Sequence, residues 1–269
     1  MKYMTFNSSC SYAGLANLLS LQGYDAEDRK IALGMRLPYL FHYENGSYIS
    51  GPMLQGEEWF SLYLKPIGFK LAERRLSREE ACAVLRKGPP AMLGLWVSPK
   101  SKHAVICTGW RDGEYHFLNN KRQDSPEPET LCLTKADLME RLDGQVVTGT
   151  LERTAKTSVD YRSYLEKSVL VFRSLREKII AFCAEERSAA ALRAAMNELF
   201  RPILLDGVTM LELLEKLGTA EPLKVAQAQF LRIIKEARPA VLAEELDMGR
   251  LCAAMAQYED LIIKQMGAE

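Results

Sequence analysis

The sequence has no net charge: 35 Lys+Arg balance 35 Asp+Glu over 269 residues. That removes the general electrostatic pull on which nucleic-acid and anionic-membrane binding depend, so neither partner is expected. No apolar run approaches the ~20 residues of a membrane-spanning helix. The first ten residues, MKYMTFNSSC, lack the basic-then-apolar pattern of a secretion signal. Cysteine is sparse and scattered, at Cys10, Cys82, Cys107, Cys132, Cys183 and Cys252. Without a CxxC pair, neither a zinc site nor a disulfide framework is indicated, and no metal or cofactor is expected. Thiols in a chain without a secretion signal point to a reducing, cytoplasmic setting. There is no strong internal repeat and no low-complexity tract.

What is present is a globular composition, 48% hydrophobic and 26% charged. It changes character near residue 154. All three Trp, all three His and 13 of the 17 Gly precede that point. Residues 155–269 read as helix after helix. Over 161–186, Tyr161, Tyr164, Leu165, Phe172, Leu175, Ile179 and Phe182 recur at helical spacing, with Ser168 the one polar interruption on that face. Further helical runs are predicted over 190–200, 209–217, 221–237 and 240–266. Arg201-Pro202, Asp206-Gly207, Gly218 and Pro239 are read as breaks. The pattern predicts an antiparallel bundle over 155–269.

Residues 1–154 alternate element types. A helix is predicted over 10–22, closed by Gly23, and a second, capped by Asp25, ends before Gly34. A loop rich in Tyr, Gly and Pro follows to about residue 56. Helical spacing returns over 57–64, and a strand is expected over 69–73. Ser77-Arg-Glu-Glu80 is a capping box opening a helix that stops before Gly88-Pro89-Pro90. Apolar strands are expected over 92–97, 104–110, 115–119 and 145–151, with Thr134 capping a helix before the last. Helices first and then an antiparallel sheet make the fold class α+β.

Three residues carry candidate chemistry. Cys10 stands at the first turn of a predicted helix, where free N–H groups favour thiolate and supply donors to an oxyanion; alternatively it is a small buried apolar residue. His103 begins an apolar strand after a hairpin, where an imidazole can exchange a proton with a thiol; a plain turn histidine is the alternative. Asn119 ends the next strand with the parity of Tyr115 and Phe117, placing its amide near His103 as the group that fixes the ring, although Asn120 or Asp124 could take that role. Phe41-His42-Tyr43 and Ser50-Gly51-Pro52 are read as the wall of a substrate cleft, with His42 a minor candidate for a second base. His116 is read as exposed and structural, and Cys107 as buried packing.

The stretches NSSCSYAGLANLLSLQG (7–23), ALGMRLPYLFHY (32–43), PPAMLGLWV (89–97) and HAVICTGWRD (103–112) resemble the papain-like cysteine peptidase fold. More closely, they resemble the N-terminal domain of the butirosin biosynthesis protein H family, itself similar to the double-glycine leader peptidases. The resemblance spans about residues 4–152 and suits a helical C-terminal half. It implies Cys10 as nucleophile, His103 as general base and acid, and Asn119 as orienter. The implied activity is thiol-dependent acyl transfer, from a carrier-protein thioester to an amine, or amide or thioester hydrolysis. Its substrate would be a small-molecule, peptide or carrier-bound acyl group. Two positions depart from the pattern: Met4 stands where papain-like enzymes place an oxyanion-hole Gln, leaving Asn7 or the Cys10 backbone N–H with another donor as substitutes, and Ser9 replaces a frequent His. These departures keep open a catalytically inactive binding protein. The helical half is a candidate for carrier docking or homodimerisation.

Overall fold

The computed structural model describes residues 1–267. In chain order the first part contains α1 (Cys10–Leu21), α2 (Asp28–Gly34), the strands β1 (Phe41–Glu44) and β2 (Ser47–Ser50), and α3 (Glu57–Ile67). β3 (Phe69–Ser77), α4 (Arg78–Lys87), β4 (Ala91–Ser98), β5 (Ser101–Arg111), β6 (Glu114–Asn119), β7 (Thr130–Leu133), α5 (Lys135–Arg141) and β8 (Gln145–Arg153) follow. The chain divides into two compact units. One comprises Met1–Met35 with Gln55–Val159; the other comprises Arg36–Leu54 with the chain from Asp160 onward. A single boundary near 154, as composition suggests, therefore misses the segment Arg36–Leu54.

The first unit is α+β, built on a six-stranded antiparallel sheet in the order β3-β8-β4-β5-β6-β7. The Ser77 capping box forms as its spacing predicts, and Thr134 caps α5 through Asp137 N. Helices α4 and α5 contribute Ala81, Cys82, Leu85 and Leu138 to a core with Leu93, Leu95, Val105, Tyr115 and Phe117 of the sheet. Helix α1 approaches through Gly14: a Cβ there would lie 2.6 Å from Met92 Sδ and 2.7 Å from Asn120 Nδ2. Glycine weakens a helix interior, but here its missing side chain sets how closely α1 meets β4 and the residue after β6.

Asp25 does not cap α2. It pairs with Lys2, while the cap position falls to Glu27 without a side-chain hydrogen bond. The first residue of α2, Asp28, turns inward instead. The expected loop of 35–56 holds the hairpin β1–β2, turned by Asn45 (φ 51°) and Gly46 (φ 84°). Two successive positive φ values are what an Asn-Gly hairpin turn requires.

The second unit is mainly helical: α6 (Tyr161–Cys183), α7 (Ala189–Ala195), α8 (Val208–Leu213), α9 (Leu217–Glu236), α10 (Leu242–Glu245) and α11 (Met248–Met266). The short strands β9 (Glu186–Arg187) and β10 (Ala240–Val241) pair with one another. The helix expected over 240–266 is thus broken, because Asp247 stops and recaps the chain by accepting from Arg250 N. Conversely, Asp206-Gly207 is no break. Gly207 keeps helical φ (−63°) and lets the Tyr258 ring approach to 3.0 Å of where a Cβ would sit. Arg201-Pro202 and Gly218 likewise lie in helical backbone.

The hairpin belongs to this unit for a packing reason. Phe41 stacks edge-on against Phe172 and Tyr258, with centroids 4.8 and 5.4 Å apart. Ser168, the polar interruption in the apolar face of α6, is fully buried; its Oγ donates to Tyr39 O and accepts from Phe41 N. Tyr258 OH donates to Pro38 O and Ser50 Oγ to Pro202 O.

Candidate active site

Cys10 is the first residue of α1, and it is partly exposed. The residue before it, Ser9, is positioned to cap the helix but does not: its Oγ lies 2.8 Å from both Asp28 Oδ2 and Phe6 O. The first turn of α1 therefore has no side-chain cap. Leaving a helix uncapped costs about 1 kcal/mol, and it keeps donors and the positive end of the helix dipole beside the thiol. Asp28 is fully buried and also accepts from Thr5 N (2.6 Å) and Thr5 Oγ1 (2.7 Å), anchoring the segment that delivers Cys10.

A cavity of about 430 Å³ opens beside Cys10. Cys10, Ser11, Gln55, His103, Phe60 and Met92 are among its walls, so the thiol and the imidazole share one space although 93 positions separate them. The register explains how His103 is held. Val105 of β5 pairs with Asn119 of β6, which puts Asn119 two residues along from His103 with the same parity. His103 Nδ1 lies 3.0 Å from Asn119 Oδ1. Asn119 Nδ2 donates to Pro128 O (3.1 Å) and Glu127 Oε2 (3.2 Å), which fixes the oxygen side of the amide towards the ring. With an acceptor on Nδ1, a neutral ring carries its proton there and leaves the Nε2 lone pair free.

Asn120 has a different task. It donates to Ala104 O and accepts from Asn17 Nδ2, bolting α1 to the strand that carries His103. Asp124 is exposed. Cys107 and Cys82 are buried, and desolvation raises both thiols, Cys107 to about 11. Both are packing. Cys183 is raised likewise, to about 12.

Asn7, Phe41, His42 and Tyr43 have partners of their own. Asn7 is exposed, and its Oδ1 accepts from Arg122 at 2.5 Å; it does not line the cavity. Phe41 is buried in the aromatic cluster of the helical unit, so it is core rather than cleft wall. His42 Nε2 stands 3.9 Å from Glu44 Oε2, and Tyr43 stacks on Tyr48 under Lys178. His116 is half-buried rather than exposed, with Nδ1 3.3 Å from Cys132 Sγ.

Three residues were missed by sequence reasoning. Gln55 lines the cavity and its Oε1 accepts from Ser11 Oγ. Glu127 lies against His103, and Asp28 supports the loop before Cys10. The run Pro126-Glu127-Pro128 was a usable signal, since flanking prolines restrict the backbone between them. Among the described residues no group of three or more His, Cys, Asp or Glu converges as a metal site. No helix among them is long and apolar enough to cross a membrane.

No family model matches the chain, and no curated protein does. Among solved structures it is similar to the peptidase domain of Streptococcus ComA, a bifunctional ABC transporter involved in a quorum-sensing pathway. That likeness has 10% identity over 55% of this chain and 96% of the other, with a TM-score of 0.38. A double-glycine-motif protease from an AMS/PCAT transporter, solved with its leader peptide, matches at 11% identity over 56% and 89%, with a TM-score of 0.38. A periplasmic domain of the EpsAB fusion protein of the Vibrio vulnificus type II secretion system gives 17% identity over 53% and 46%, with a TM-score of 0.30. At such distances the likenesses carry no functional argument, which rests on the cavity geometry.

Proposed function

We propose that the first unit is a papain-like, thiol-dependent acyl-transfer or hydrolysis domain, with Cys10 as nucleophile, His103 as general base and acid, and Asn119 as the residue that orients His103. The observation that carries this reading is the shared cavity of Cys10 and His103, with Asn119 Oδ1 3.0 Å from the ring nitrogen. His103 Nε2 takes the thiol proton, and Sγ attacks the carbonyl carbon of a thioester, ester or amide. A C–S bond forms while the carbonyl π pair moves onto oxygen. Collapse breaks the bond to the leaving thiol, alcohol or amine, which takes the proton from the imidazolium. Water or an amine then attacks the Cys10 thioester, with His103 as base, and the thiolate leaves.

The oxyanion would be met by the Cys10 N–H at the start of α1 and by the Gln55 side-chain amide. The Ser11 hydroxyl holds the Gln55 oxygen, leaving Nε2 as the donor. This assigns to Gln55 the task that neither Met4 nor Asn7 performs. Hydrolysis and amine transfer share the first half-reaction and differ only in what enters second. A butirosin-type acyltransferase, with the acyl group delivered on a carrier protein, is the transfer form of this proposal.

The test is iodoacetamide labelling of the native protein from pH 5 to 9, with each cysteine's rate followed by peptide mass spectrometry. Cys10 is expected to react fast well below the range of a free thiol, about 8.5, and His103→Ala to abolish that. Buried Cys82, Cys107 and Cys183 serve as slow internal references. A Cys10 rate no greater than theirs would sink the catalytic reading and leave a cysteine-peptidase-like binding protein.

A further inference from the structure

We infer that Glu127 is a second positioning residue of the site: its carboxylate supplies to His103 the negative charge that neutral Asn119 lacks. The inference rests on the proposed Cys10–His103 chemistry and adds a residue to it. Glu127 Oε2 lies 3.3 Å from His103 Nδ1, on the same ring nitrogen that Asn119 Oδ1 approaches at 3.0 Å. The same carboxylate oxygen accepts from Asn119 Nδ2 at 3.2 Å, so imidazole, amide and carboxylate close into one triangle. Ser101 Oγ donates to Glu127 Oε1 at 3.3 Å, and Ser125 Oγ accepts from Glu127 N at 3.3 Å, holding the acid from two sides. The prolines at 126 and 128 limit the backbone on either side.

Both partners are largely withdrawn from solvent, His103 to 19% and Glu127 to 27% side-chain exposure, so water screens the pair only in part. The other nearby charges are committed or point elsewhere. Lys102 is engaged by Asp143, and Lys121 donates to Ser125 O. Glu73 stands on the cavity wall, without a contact to the ring.

The chemistry follows from this division of labour. Asn119 is an acceptor without charge; it selects the tautomer but favours neutral and protonated rings alike. A carboxylate at 3.3 Å favours the imidazolium, the form that accompanies the Cys10 thiolate and then protonates the leaving group. Glu127 touches neither the thiol nor a substrate; it acts through His103.

The experiment compares Cys10 alkylation by iodoacetamide across pH in wild type, Glu127→Gln and the double variant Asn119→Asp/Glu127→Gln. Gln keeps the acceptor but loses the charge. It should slow Cys10 about ten-fold near pH 6, because the imidazolium loses the negative charge beside it. The deficit should close towards pH 9, where thiolate forms without an imidazolium. The double variant returns a carboxylate to the same Nδ1 and should restore the rate near pH 6. A uniform slowing at every pH, or a double variant no faster than Glu127→Gln, would assign Glu127 to loop structure and overturn the inference. So would an unchanged profile in Glu127→Gln when wild-type Cys10 is fast. A slow wild-type Cys10 would instead remove the catalytic reading on which the inference stands, and the inference with it.

Discussion

Around Cys10 the decisive residues are those that offer donors rather than those that titrate. Ser9 turns its hydroxyl to Asp28 and gives α1 no side-chain cap, and Gln55, just before α3, lines the same cavity as Cys10. Oxyanion donors act only where negative charge develops on a carbonyl oxygen. Gln55→Ala is therefore expected to slow acylation of Cys10 by an activated ester such as p-nitrophenyl acetate by about a hundred-fold. The same variant should leave iodoacetamide alkylation unchanged, because displacement at an sp³ carbon makes no oxyanion. Equal slowing of both reactions would mean that Gln55 shapes the thiol's surroundings rather than the hole.

The elements hold these residues by close approach. α1 meets the sheet at Gly14, and the Asn17–Asn120 hydrogen bond ties it to the chain just beyond β6 while Asn120 also binds Ala104 O next to His103. Met92 can swing away from an added methyl, but Asn120 is pinned by its two partners. Gly14→Ala should therefore destabilise the unit by about 1–3 kcal/mol through overpacking, despite the better helix propensity of Ala. Urea unfolding followed by tryptophan fluorescence reads this directly, and a stabilised variant would contradict the close-packing account.

Much of the first unit's element order was legible. The Ser77 box, the Thr134 cap and the strand parity that links Asn119 to His103 are local signals with local causes. Asn45-Gly46 was an equally local hairpin signal, masked by the surrounding Tyr, Gly and Pro. The break at Leu246-Asp247 was harder to see, because the apolar spacing on either side continues a helix and only the Asp247 cap interrupts it.

Across the whole chain, the two units report separately. All three tryptophans lie in the first, whereas long helices dominate the second, so fluorescence and far-UV dichroism follow different parts. The second unit also carries a pH dependence of its own. Burial raises the Asp206 carboxyl from its usual 3.8 to about 6, partly countered by Arg201 at 3.1 Å. Between those two values the folded form holds a proton that the unfolded form has lost. Stability from this group is then fully present below about 3.8 and is lost as pH rises through about 6. Asp206→Asn removes that loss. The stability of the variant relative to wild type should climb by on the order of 2–3 kcal/mol from pH 4 to pH 7, levelling above about 6. Ellipticity-monitored denaturation at several pH values checks it; a difference independent of pH would show that Arg201 keeps the carboxyl ionised throughout.

By itself the sequence determined what depends on neighbours a few residues away: the α+β order of the first unit, the helical run of the second, and the strand parity that relates Asn119 to His103. The tertiary structure decided what depends on distant chain segments meeting. Residues 36–54 join the helical unit because Phe41, Tyr39 and Pro38 find Phe172, Ser168 and Tyr258. Gln55 and Glu127 enter the cavity region from loops whose positions no periodicity encodes. Periodicity records which face of an element is buried; it does not record which other element buries it, and that pairing built the site.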